Sequence, residues 1–179
     1  YLRPNKVEIG TPAVFALLEE DPLEYWLVWG TPKQGGNNQP FRFLQEPTDE
    51  DIDAELGREF TRALNYDKTA VDKPAKCLTW PVYNWEAKKV QVLECGHVST
   101  RTGMESIGTH KTWKKMLTDI DIEITKTVTS DNRTTYEVMP SPRDDSHDAD
   151  EAEAAYKAIK KEGFDLNRMV VGGDPFAES

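Results

Sequence analysis

Two stretches of alternating apolar and polar residues limit the fold of this chain more than any other feature. In residues 77–95, Leu78, Trp80 and Val82 occupy alternate positions, a turn follows, and the alternation resumes on the return. Residues 119–140 repeat this arrangement around the turn sequence SDNR. A period of two on both sides of a turn predicts an antiparallel β-hairpin. The chain is therefore expected to contain two hairpins.

Three further segments predict strands, because they are rich in β-branched and aromatic residues or alternate in polarity. They are residues 6–20, read as one or two strands, residues 23–30, and residues 41–44. Pro81 lies within the first hairpin and cannot donate a backbone hydrogen bond, so it implies an edge or a bulge.

The clearest helical pattern covers residues 48–66. Apolar residues recur every four positions there, at Ile52, Leu56, Phe60 and Leu64. Thr48 and Asp51 have the spacing of a capping box, and acidic residues fill the first turn, where the helix dipole favours them.

Two other segments predict shorter helices. Residues 97–117 suggest a helix over their second half, or two short helices broken at Gly103 and Gly108. Residues 150–162 predict a short helix that stops at Gly163, followed by a segment that is mostly tail.

The order of these elements favours a mainly β architecture. Doubly wound folds need repeated βα units with parallel strands, and this sequence has none. Short antiparallel strands with a helix between hairpins fit a small Greek-key barrel with inserted and C-terminal helices, since closure removes exposed edges.

The charge distribution bears directly on function. The formal net charge of -10 argues against a polyanionic partner. The charge is uneven, however: residues 61–118 hold 10 basic and 5 acidic side chains, while residues 1–60 hold 5 basic and 12 acidic ones. The basic middle also carries tryptophan and tyrosine, so the net charge does not exclude nucleic acid.

Aromatic and basic residues together suggest a surface for single-stranded nucleic acid, because flat rings stack on bases and cations hold phosphates. We expect Trp80 to pack inward, with Tyr83 and Trp85 exposed near the turn; the alternative is that all three belong to the core. The basic candidates around this hairpin are Lys73, Lys76, Lys88, Lys89, Arg101, Lys111, Lys114 and Lys115.

A second aromatic cluster flanks the flexible sequence TPKQGGNNQP. Its members are Tyr25, Trp26, Trp29, Phe41 and Phe43, with Lys33 and Arg42 as cations. Such a hairpin tip can clamp a strand; the alternative is that the rings pack the barrel and the loop is merely mobile.

No motif predicts an enzyme, a cofactor or a metal. Cys77, Cys95, His97 and His110 are zinc-ligand types, but their spacing matches no standard finger or ribbon. Nucleophile, phosphate-loop and metalloprotease motifs are absent. No run of residues is long and apolar enough to span a membrane, and the N-terminus is unlike a signal peptide.

The acidic C-terminal segment ends in GGDPFAES. Asp174, Pro175 and Phe176 combine acid with one hydrophobic anchor, which suits docking on a partner protein. Two alternatives remain: a solubilising end without structure, or an acidic tail that lies over the protein's own basic groove and competes with DNA.

The order of several segments resembles phage-encoded single-stranded DNA-binding proteins with an OB-fold core. These segments are LTWPVYNWEAKKVQVLE (78–94), DIDIEITKTVTSDNRTTYEVMP (119–140) and, more weakly, YWLVWG with PFRF (25–43). The resemblance covers about two thirds of the chain. Many relatives carry a zinc-binding cysteine cluster after the first tryptophans, which TPKQGGNNQP lacks.

The resemblance implies an OB-type barrel over residues 1–142 and an acidic extension over residues 143–179. It also implies sequence-independent binding of single-stranded DNA in phage replication or recombination, and recruitment of other replication proteins by the tail. The location implied is the host cytoplasm, and a chain with two cysteines fits a reducing compartment. Alternatives are an acidic interaction adaptor or DNA-mimicking inhibitor, and an RNA-binding cold-shock-like barrel.

Residues expected to contact DNA follow from this interpretation. Stacking is assigned to Tyr83 and Trp85 with Tyr25 or Trp29, and Trp80 belongs to the same surface. Phosphate contacts are assigned to Arg42, Lys76, Lys88, Lys89, Arg101, Lys111 and Lys114.

Overall fold

The computed structural model describes residues 1–176, which are built mainly of antiparallel β-strands, as predicted. The strands of this range are β1 (Pro12–Leu17), β2 (Leu23–Pro32), β3 (Gln39–Phe43), β4 (Phe60–Arg62), β5 (Ala75–Asn84), β6 (Lys89–Cys95), β7 (Ile120–Val128) and β8 (Thr134–Pro142). Its α-helices are α1 (Asp49–Leu56), α2 (Val98–Thr109) and α3 (Ala149–Lys161). Short 3-10 turns cover Pro4–Lys6, Trp113–Lys115 and Leu166–Met169.

The described chain forms two compact units. The first unit contains residues 1–23 and 78–166 together with Phe176, and the second contains residues 24–77 and 167–175. Neither unit is continuous in sequence. The division at residue 142 that the resemblance implies stays a prediction.

The sheet of the first unit has the strand order β6, β5, β1, β7, β8, and each neighbouring pair is antiparallel. Both predicted hairpins are confirmed: β5 pairs with β6 around the turn at residues 85–88, and β7 pairs with β8 around the turn at residues 129–133. Within the described residues of this unit, β6 and β8 are the outer strands and do not pair with each other. The sheet of the first unit is therefore open.

Pro81 occupies a position where its missing N–H costs nothing. The last pair between β1 and β5 is Leu17 with Val82, so Pro81 lies just beyond it. The Pro81 carbonyl accepts a hydrogen bond from the Leu18 amide at 3.1 Å, which turns the Pro81 nitrogen toward the end of β1. The pairing with β6 is therefore intact.

Helix α2 packs against β8 and differs from the predicted helix. It occupies the first half of residues 97–117 and runs unbroken through Gly103 and Gly108. A Cβ on Gly103 would lie 2.6 Å from the Val138 Cβ, so only glycine permits this close approach of helix and strand. Close packing therefore offsets the low helix propensity of this glycine.

The second unit places α1 against one face of its small sheet. Ile52 and Leu56 of α1 pack with Val28 of β2, and the neighbouring phenylalanines Phe41, Phe43 and Phe60 line the contact. The predicted capping box is confirmed, since Thr48 and Asp51 bond to each other's backbone amides, and these hydrogen bonds lower the pKa of Asp51.

The predicted length of this helix is wrong. Helix α1 ends at Leu56, and Gly57 adopts a φ of 60° with a ψ of -149°, a conformation that glycine alone adopts readily and that stops the helix. Phe60 continues on β4 instead, and Leu64 is exposed. The two members of the four-residue repeat beyond Gly57 are therefore not helical: Phe60 lies on a strand and Leu64 in a loop.

Helix α3 confirms the predicted C-terminal helix and covers part of the first unit. It starts at the Asp148 N-cap and stops before Gly163, which has a φ of 98°. The segment beyond is more ordered than a tail, since Met169 is buried in a 3-10 turn of the second unit. The last three residues of GGDPFAES lie outside the described residues.

Candidate nucleic-acid interface

One face of the second unit's sheet brings together three of the predicted binding residues. Because β2 pairs Leu27 with Arg42 and side chains alternate along a strand, Tyr25, Trp29 and Arg42 lie on the same face. The Arg42 guanidinium lies 5.7 Å from the centroid of the Tyr25 ring. We call these three residues the β2–β3 face.

Only one ring of the β2–β3 face is available to a ligand. Tyr25 is fully buried, whereas Trp29 is 39% exposed. A half-exposed indole on a strand, with a guanidinium on the neighbouring strand, has the two groups that stacking and phosphate binding need. Within this face, Trp29 is therefore the base-stacking candidate and Arg42 the phosphate candidate.

The aromatic residues of the first hairpin lie in the core. Trp80 packs inward as predicted, but Tyr83 is 1% exposed and Trp85 8% exposed, so their predicted exposure is wrong. Strand β5 has an apolar cluster on the Trp80 face, and Ala152 and Tyr156 of α3 cover the face of Tyr83 and Trp85. Stacking of DNA on Tyr83 or Trp85 would require α3 to move.

Tyr83 is tied to α3 by a hydrogen bond. Its hydroxyl donates to Glu151 Oε1 at 2.8 Å, and its ring meets Trp85 edge-on at a centroid distance of 4.9 Å. Burial, followed by the hydrogen bond and charge of Glu151, raises the pKa of Tyr83 to about 12. The phenol is therefore protonated and holds the helix at neutral pH.

A buried carboxylate organises the segment that leads into α3. Asp121 on β7 is 1% exposed and accepts hydrogen bonds from Trp85 Nε1 at 2.8 Å and from the Asp144 amide at 3.1 Å. His147 Nδ1 lies 2.6 Å from the same carboxylate, and Arg143 Nε lies 3.4 Å from it. We call these residues the Asp121 network.

The Trp85 ring contacts two further side chains of the Asp121 network. The His147 ring stacks on Trp85 at 4.5 Å with an interplanar angle of 5°, and the Arg143 guanidinium lies 5.5 Å from the centroid of the Trp85 ring. Arg143 also donates to the backbone carbonyls of Thr118 and Ile120. The network thus anchors residues 143–147 on the sheet. The Trp85 ring takes part in these contacts and is therefore not available to a ligand.

The predicted cations lie in different settings. Lys88 and Lys89 are exposed at the turn of the first hairpin, and Lys111 and Lys114 are exposed after α2. Arg101 on α2 and Lys76 on β5 are half-buried, and Lys76 forms an ion pair with Glu24 at 2.9 Å. Within residues 1–176, Lys88, Lys89, Lys111 and Lys114 have no acidic partner.

Residues 110–116 (HKTWKKM) form a cationic surface, which we call the basic segment. It presents Lys111, Lys114 and Lys115 to solvent and contains no acidic residue. Trp113 is partly buried against the core, and the centroid of the His110 ring lies 6.4 Å from that of the Trp113 ring. Cations beside a half-buried indole are again the pairing that a single strand requires.

The predicted partner-docking residues are partly engaged by the chain itself. Within the first unit, the Phe176 ring lies 5.1 Å from the Phe164 ring and 6.4 Å from that of Tyr1, and Phe176 is 36% exposed. In the second unit, Pro175 is buried and Asp174 is exposed. Their role in docking stays a prediction.

Residues 1–176 contain no group of three or more histidine, cysteine or acidic side chains placed to hold a metal ion, and Cys77 and Cys95 are buried. Among the same residues, no helix has the length and apolar character needed to cross a bilayer. Searches of family models, of curated proteins and of solved structures found no match for this chain.

Proposed function

We propose that this protein binds single-stranded DNA without sequence preference and acts in phage DNA replication or recombination. The basic segment carries the proposal, since three exposed lysines next to a partly exposed tryptophan occur there in a chain of net charge -10. Lysines bind phosphates and aromatic rings accept any base, so the contacts carry no sequence preference. The β2–β3 face supplies a second pair of the same kind, Trp29 with Arg42.

The proposal includes an OB-type arrangement of the strands. Antiparallel hairpins with a helix between them are compatible with it, and OB-folds bind oligonucleotides on such surfaces. A chain with two cysteines, both buried, is compatible with a reducing host cytoplasm. The acidic C-terminal segment is proposed to engage replication or recombination proteins.

An acidic interaction adaptor is the second candidate function. It is favoured by the exposed acids of α1, including Asp51, Asp53 and Glu55. These side chains face solvent and would suit a basic partner.

Chromatography on single-stranded DNA cellulose separates the two candidates. We expect retention at low salt and elution as the salt concentration rises, because phosphate contacts are screened. Elution by single-stranded DNA but not by RNA would also separate this function from RNA binding. Passage of the folded protein through the column at low salt would favour the adaptor and contradict DNA binding.

A further inference from the structure

An exposed aromatic residue outside all the predicted sites lies in the loop after β4. Tyr66 is 100% exposed, the highest value among the large hydrophobic residues that the structure leaves exposed. Leu64 and Val71, at the base of the same loop, are 53% and 48% exposed. The loop thus presents one fully exposed ring and two exposed apolar side chains.

The loop is held closed by Asn65. Its side-chain oxygen accepts hydrogen bonds from the amides of Thr69 and Ala70, at 3.0 and 3.4 Å, and its amide nitrogen donates to the Thr69 hydroxyl at 3.2 Å. The Asn65 amide donates to the Ala70 carbonyl at 2.9 Å, and a β-bridge joins Leu64 to Val71. A preorganised loop loses little conformational entropy when its ring binds a ligand.

The loop begins next to the β2–β3 face. The Ala63 amide donates to the Trp29 carbonyl at 2.7 Å, so these two residues are neighbours across strands. Tyr66 follows Ala63 by three residues, which limits their separation to roughly 10 Å of chain. Tyr66 and Trp29 are therefore close enough to contact the same single strand.

Cations accompany this ring. Lys68 is exposed at the turn of the loop, where its φ of 55° is left-handed, and Lys73 is exposed just after the loop. The Lys73 backbone amide donates to Asp72 Oδ1 at 3.0 Å, but within residues 1–176 neither lysine's ammonium forms an ion pair. A ring for the base and an ammonium for the phosphate thus lie within two residues of each other.

We propose that Tyr66 stacks on a base of the same single-stranded DNA that contacts Trp29, with Lys68 on an adjacent phosphate. This inference rests on the proposed function and extends it to a residue that the sequence analysis did not assign. Any base satisfies the contact, because every base has a flat face.

The test is titration of the full chain and its variants with oligothymidylate, with tryptophan fluorescence as the signal. A stacking contact of the usual strength predicts that Tyr66→Ala weakens binding by about 5- to 140-fold, whereas Tyr66→Phe retains affinity because the ring remains. Leu64→Ala is the matched control, since it removes a neighbouring exposed apolar side chain, and it should bind normally. Because Tyr66 makes no buried contact, its variants should unfold like the parent protein.

The possible outcomes separate the two proposals. If the parent protein binds and Tyr66→Ala binds equally well, Tyr66 serves another surface, such as one for a protein partner, and this inference is overturned. Equal losses in Tyr66→Ala and Tyr66→Phe would assign the effect to the hydroxyl and overturn stacking. If the parent protein itself fails to bind, the proposed function is overturned with it.

A photocrosslink gives an independent readout. Oligothymidylate with halogenated uracil should crosslink to a peptide that contains Tyr66, because photocrosslinking requires close contact between base and ring. Crosslinks confined to peptides that lack residue 66 would contradict the proposal.

Discussion

Asp121→Ala is expected to lower the free energy of unfolding by about 3 to 5 kcal/mol, the cost typical of removing one partner from a buried charged pair. The substitution leaves the buried Trp85 Nε1 without its acceptor and Arg143 without its carboxylate. It also releases His147 and the Asp144 amide from the sheet. Urea denaturation followed by circular dichroism measures the loss.

Asp119→Ala provides the matched control for this prediction. Asp119 lies two residues before Asp121, carries the same charge, and is exposed. Its substitution should change the free energy of unfolding by less than about 0.5 kcal/mol, as surface substitutions usually do. If Asp121→Ala and Asp119→Ala have the same small effect, the Asp121 network does not stabilise the fold.

The second large effect concerns the basic segment. The double substitution Lys111→Gln with Lys114→Gln is expected to weaken binding of single-stranded DNA by about 65-fold at 50 mM salt. The figure follows from a salt-dependence slope of roughly 0.7 per phosphate contact for single strands, so two lost contacts lower the slope by about 1.4. The difference should vanish as the salt concentration approaches about 1 M. Titrations at several salt concentrations measure both quantities.

Lys157→Gln with Lys161→Gln is the control for net charge. Both lysines are exposed on α3, and Lys157 already pairs with Glu153. This variant has the same net charge as the first, so it should retain the slope of the parent protein. Equal slopes in the two double variants would show that the basic segment makes no phosphate contacts.

The elements were predictable where their sequence pattern is local. Alternation located both hairpins, and Gly163 marked the end of α3. The predicted bounds of α1 and α2 were wrong because contacts between distant residues determine where these helices begin and end. Gly103 sits inside α2 because Val138 leaves no room for a side chain, and a repeat of four continued past Gly57 by chance. Neither the close contact of Gly103 with Val138 nor the end of α1 at Gly57 can be predicted from a short stretch of sequence.

The candidate site was predictable only in part for the same reason. Strand alternation separates Trp80 from Tyr83 correctly. The register of β2 against β3, which places Trp29 and Arg42 on one face, is not contained in either strand's own sequence. Alternation does not reveal that α3 packs on the side of β5 that carries Tyr83. This helix buries Tyr83 and Trp85. Asp121 appears in the sequence as one more acid of an alternating strand, and Tyr66 as an isolated loop residue. Only the folded structure shows that the Asp121 carboxylate is buried and that Tyr66 is fully exposed.

Titration of the intact protein with oligothymidylate at low salt is the decisive test of single-stranded DNA binding. We expect saturable quenching of tryptophan fluorescence, because Trp29 and Trp113 are partly exposed near cations. We also expect weaker binding to duplex DNA, and a linear fall of log affinity with log salt concentration. If no single strand quenches the fluorescence at low salt, and circular dichroism shows that the protein is folded, the protein does not bind single-stranded DNA.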